Sequence, residues 1–104
     1  MANYLLVFHG GSMPETQEEG AKVMQAWTEW LGKLGGAVVD QGNPVSQVRT
    51  IAPNGSVSDG GINPSSGYTI IKADNLDAAV AAARGCPVLQ GGASIEVAET
   101  FDVM

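Results

Sequence analysis

Two short stretches of this chain place apolar strand-forming residues at adjacent positions: Tyr4-Leu5-Leu6-Val7-Phe8, and Tyr68-Thr69-Ile70-Ile71 with only Thr69 intervening. Successive side chains of a strand point to opposite faces of a sheet. A run that is apolar at neighbouring positions therefore belongs to a sheet with both faces sheltered from water. Any fold proposed for the chain has to supply two covers for one sheet.

The remaining elements follow from periodicity and punctuation. His9-Gly10-Gly11 ends the first strand, and both Ser12 with Glu15 and Thr16 with Glu19 have the spacing of a capping box at a helix start. From Ala21 through Met24, Trp27, Leu31 and Leu34, apolar residues recur every three or four positions, the period of one helix stripe, and Gly35-Gly36 marks its end. Ala37-Val38-Val39 and Val45 to Ile51 read as strand, broken at Gly42-Asn43-Pro44, where a residue without an N–H cannot continue a central ladder. Pro53-Asn54-Gly55 is a turn signal that would bring Ser56-Val57-Ser58 back as a hairpin. A polar loop over 59–66, the strand Tyr68 to Lys72, a helix capped by Asn75 and ended at Gly85, and a last strand over Ser94 to Val97 complete the pattern.

Strand, helix, strand pair, strand, helix, strand is the order of a ferredoxin-like α+β fold, a split βαβ sandwich with both helices on one face of an antiparallel sheet. At 104 residues, 44% of them apolar and 15% charged, the chain is expected to form a single domain over 1–104 with one core. Helices on one face leave the other face uncovered, and a second copy packed sheet to sheet would cover both at once. A homodimer is the expected partner state.

Composition also closes off several functions. The formal net charge is -6 with five Lys and Arg in all, so no basic patch is available for a nucleic-acid backbone. No run is long enough to span a bilayer, and the acidic surface disfavours anionic lipid, so a cytoplasmic location is expected. One cysteine, Cys86, excludes an intrachain disulfide, and one histidine without clustered carboxylates offers no metal site.

The chain resembles the YCII-related family, in its DGPF-type branch. The likeness rests on Tyr4-Leu5-Leu6-Val7, on the helix with Trp27 and Leu31, on Asp40-Gln41-Gly42, and on Asp59-Gly60-Gly61-Ile62 where that branch carries Asp-Gly-Pro-Phe. It continues through Gly67-Tyr68-Thr69-Ile70-Ile71, Asn75-Leu76-Asp77-Ala78-Ala79, Cys86-Pro87 and Gly91-Gly92-Ala93-Ser94-Ile95-Glu96-Val97. What the resemblance implies is a dimeric α+β barrel, with a His-Asp pair as catalysts in some members. The first helix, where such members carry the histidine, has none here, and Gln25 stands in the comparable region.

The residues themselves offer a different pair. His9 is the only histidine and the only side chain whose ordinary pKa lies near neutrality, the natural general acid or base. Asp40 follows three apolar strand residues and is the candidate to orient or charge-stabilise it. The plain alternatives are a strand-end histidine bonded to backbone and an aspartate that closes the turn at Gly42. Asp59 is a candidate ligand-binding group on a loop, and Trp30, expected at the edge of the helix stripe, is a candidate pocket wall. Two functions remain: a cofactor-independent enzyme of lyase or isomerase type that moves a proton on a small organic molecule, or a non-catalytic dimeric module for a small ligand or a protein.

Overall fold

The computed structural model describes residues 1–12, 14–61 and 63–103. It is an α+β structure with a four-stranded antiparallel sheet, a separate two-stranded hairpin and two α-helices. The sheet contains β1 (Ala2–His9), β2 (Val38–Asp40), β5 (Ser65–Ala73) and β6 (Ser94–Glu99), in the order β2-β5-β1-β6. β3 (Arg49–Ile51) and β4 (Val57–Asp59) pair only with each other. The helices α1 (Gln17–Leu34) and α2 (Leu76–Ala83) each join one strand to another two places away, an arrangement compatible with a ferredoxin-like α+β fold.

Local chemistry sets the helix ends. Thr16 Oγ1 accepts from the Glu19 N–H at 3.1 Å, and the Glu19 carboxylate reaches back to the Glu15 N–H, one residue upstream of the cap itself. Ser12, the other capping candidate, instead donates its hydroxyl to the Gly91 carbonyl and ties the loop after β1 to the turn before β6. Asn75 Oδ1 caps α2 through the Ala78 N–H at 2.8 Å.

The expected stripe on α1 is rotated and shortened. Ala21 and Met24 are exposed, and packing falls on Trp27, Trp30, Leu31 and Leu34. Eighteen helical residues extend roughly 27 Å, so the first turns overhang the layer below. The expected strand from Val45 to Ile51 also shrinks to Arg49–Ile51, because Pro44 only bridges Gly67 and Val45 bonds to Ser66 before the chain leaves the sheet.

Strand alternation divides the sheet cleanly. Tyr4, Leu6 and Phe8 of β1, with Thr69 and Ile71 of β5, are buried against Trp30, Ala79 and Ala83 of the helices. The Tyr4 hydroxyl donates to Glu99 at 2.8 Å, and burial together with that carboxylate raises the pKa of the phenol above its ordinary value. Burial likewise pushes the Cys86 thiol up to about 11.

The opposite parity, Leu5, Val7, Tyr68 and Ile70, is half-buried by its neighbours in the sheet and belongs to no part of the core. The shortest dimension of the molecule is 18 Å, room for one sheet and one helix layer about 10 Å away. Its radius of gyration, 14.9 Å, exceeds the roughly 13 Å of a compact chain of this length. The structure thus leaves one apolar sheet face open among the described residues.

Candidate functional site

His9 ends β1, opposite Ser94 of β6 and, across an irregular register, Ser65 of β5. Its Nδ1 lies 3.1 Å from the Asn63 carbonyl oxygen. A carbonyl only accepts, so Nδ1 carries the hydrogen and the neutral ring presents its Nε2 lone pair away from that contact. In that tautomer Nε2 is the ring's acceptor, and a backbone group sets the orientation of the ring.

Asp40 stands at the end of β2 opposite Ile70, and Ile70 in turn faces Leu5 of β1. Its Oδ1 accepts from the Gly42 N–H at 2.8 Å, the turn contact its position before Gly42 leads one to expect. From His9 it is four residues along and two strands across, roughly 16 Å at ordinary strand spacings. A single chain does not bring the two together, although strand parity puts both on the open face.

The two ligand-binding candidates lie elsewhere. Trp30, expected at the edge of the stripe, is the buried indole: its Nε1–H donates to the Ala82 carbonyl at 3.0 Å, and it meets Trp27 edge-on with ring centres 5.4 Å apart. Its core position follows from the rotation of α1, which turns the Trp27–Trp30 pair and not Met24 toward the sheet. Asp59 is the last residue of β4 and not a loop residue, 3.4 Å from the Arg49 guanidinium across the hairpin, with both groups exposed. Ile62 of the Asp59-Gly60-Gly61-Ile62 stretch lies outside the described residues.

Among the described residues, two clefts stand out, and neither is lined by these four residues. One of about 140 Å³ lies between α2 and β6, lined by Val80, Ala83, Arg84, Leu89, Ile95 and Val97. The other, about 410 Å³, opens beside the start of β1 and the end of β6, against Asn3, Glu99, Thr100 and Phe101. Ligand pockets for small organic molecules typically enclose about 300–1,000 Å³, so the first is too small and only the second reaches that size. Among the described residues no group of His, Cys, Asp and Glu could hold a metal ion, and no helix is long and apolar enough to cross a membrane.

Three residues that shape this face escaped the sequence reading. Asn63 acts through its carbonyl, which no side-chain motif announces. Lys72 and Glu96 are exposed on the open face, opposite Asn3 and Val7 of β1 respectively. The alternation Ile71-Lys72 and Ile95-Glu96-Val97 carried that information once strand parity was known. Compared with protein-family models and with curated proteins, the chain gives no match.

Proposed function

We propose that the chain works as a homodimer whose subunits meet through the open sheet face, in the dimeric α+β barrel arrangement that its resemblance to the DGPF-type branch of the YCII-related family implies. The observation that carries this reading is the apolar row Leu5, Val7, Tyr68 and Ile70, left without a covering layer on the side away from both helices. A four-stranded face of this length projects roughly 20 by 20 Å, short of the about 800 Å² per partner of a standard interface. The β3–β4 arm, with Ile51 and Val57 paired and 71% and 62% exposed, supplies further apolar surface of the same kind. An isolated hairpin is marginally stable in water, so a second surface for it to rest on favours the assembled state.

On this interface the chemistry would be proton transfer on a small organic molecule, without a cofactor, with His9 as general base at the rim of the face. Support comes from the orientation of the ring, whose Nδ1 is engaged by Asn63 and whose Nε2 is left to accept. The second reading, a non-catalytic module for a small ligand or a protein, is favoured by the separation of His9 from Asp40 within one chain. A thermal-shift screen of small carbonyl and carboxylate compounds finds the ligand through a raised melting temperature. With a turned-over ligand in hand, His9→Gln should lower turnover by about a hundredfold or more at an unchanged melting temperature. Undiminished turnover would leave only the module.

A further inference from the structure

Lys72 and Glu96 are arranged about Leu5 in a way that singles out one dimer. Lys72 lies opposite Asn3, two residues before Leu5 and one strand to the β5 side. Glu96 lies opposite Val7, two residues after Leu5 and one strand to the β6 side. Both stand on the open face, because directly paired residues of an antiparallel ladder share a face and Asn3, Leu5 and Val7 have the parity away from the helices. The cation and the carboxylate are therefore displaced by equal amounts in opposite directions from a single leucine.

Resting on the dimer reading above, we infer that the two subunits are related by an axis that runs between the sheets and over Leu5. It places Lys72 of each subunit on the partner's Glu96, and His9 near the partner's Asp40. A two-fold perpendicular to the line from Lys72 to Glu96 exchanges those two positions, so both ion pairs form at once. With strands about 4.8 Å apart and residues about 3.3 Å apart, this axis crosses the strands of the two sheets at roughly 70°, near the orthogonal class of sheet packing. It also sets Leu5 on the partner's Leu5 and Val7 over the partner's Ile70, apolar on apolar. In the same projection His9 falls roughly 5 Å from the position of the partner's Asp40. The carboxylate that one chain holds far from the imidazole is then contributed by the other, and the site is complete only in the dimer.

Charge reversal tests the pairing. Lys72→Glu and Glu96→Lys, each at an exposed position, should leave the circular dichroism of the folded chain in place and weaken dimerisation about tenfold or more, because like charges then face each other twice. The double reversal should return the dissociation constant to within a few-fold of the original. Glu96→Lys is the sharper variant: it makes an acidic chain less acidic, so general repulsion between subunits predicts tighter association and the pairing predicts looser. For the second contact, His9→Cys chains mixed with Asp40→Cys chains should be joined by a bismaleimide that spans the about 10 Å between packed sheets. Cys86 is buried and stays silent in that experiment. An original chain that is monomeric overturns both the dimer and the pairing. A dimer whose double reversal stays as weak as the single ones, or which yields no mixed crosslink, overturns the pairing and leaves the dimer standing.

Discussion

Gly42→Ala is expected to cost on the order of 3 kcal/mol or more, a large part of the 5–15 kcal/mol that holds a domain of this size folded. Gly42 has φ of 75°, and a Cβ built there collides with the Tyr68 carbonyl oxygen of β5. Left-handed backbone alone costs an alanine about 1–2 kcal/mol. Relief of the collision requires β2 and the bend before Pro44 to move off β5, and Thr69 then loses the Gln41 carbonyl to which its buried hydroxyl donates at 3.0 Å. Gly55 supplies the control, since its φ of 91° is as unfavourable for alanine but nothing lies within 4 Å of the added carbon. Urea unfolding of the two variants should separate the strain shared by both from the collision specific to Gly42. Equal losses would mean that the approach of Gly42 to Tyr68 carries no weight.

Leu5→Asp should abolish dimerisation and spare the fold. Leu5 is half-buried on the open face, outside the core, so a carboxylate there remains wet in the separate chain. In the proposed dimer it would be buried against its own copy, and two facing unpaired carboxylates should raise the dissociation constant on the order of a thousandfold. Leu6→Asp, one position along, puts the charge among Tyr4, Trp30 and Ile71 and should prevent folding altogether. Circular dichroism distinguishes the two: a folded monomer for Leu5→Asp, an unfolded chain for Leu6→Asp. Unaltered association of Leu5→Asp would move the interface off this face.

Expectation and structure agree where the signal is local and part company where it is not. β1 and β5 were visible because Leu5-Leu6 and Ile70-Ile71 are apolar at both parities, and Thr16 and Asn75 announced their helices through side chains that cap the amides three residues ahead. The rotation of α1 was not visible, because Met24 and Trp30 each lie three residues, about 60° around the helix, from Trp27 on opposite sides of the stripe, and which of them packs depends on where the sheet ends beneath the helix. Val45 to Ile51 looked continuous because the departure of the chain after Pro44 is set by Gly42 and Tyr68, contacts between residues far apart in sequence. At the site, composition singled out His9 as the one histidine, the side-chain type whose ordinary pKa lies nearest neutrality. The placement of Asp40 was beyond reach, since its distance from His9 follows from the strand order β2-β5-β1 and no spacing along the chain encodes that order.

The shape of the molecule points the same way. A layer of helices over one face, an arm that ends in exposed Ile51 and Val57, and a radius of gyration above that of a compact chain are the features the proposed dimer would account for. Burial of apolar surface is the dominant favourable term in both folding and association, and in the proposed dimer the two would draw on opposite faces of one sheet.

Sedimentation equilibrium of the unmodified chain, carried from micromolar concentration downward, reads this most directly. A mass of twice 10.7 kDa that persists into the low micromolar range, and falls to the single-chain value for Leu5→Asp, is the predicted result. The single-chain mass at every concentration would contradict it, and would return His9 and Asp40 to two unconnected ends of one sheet.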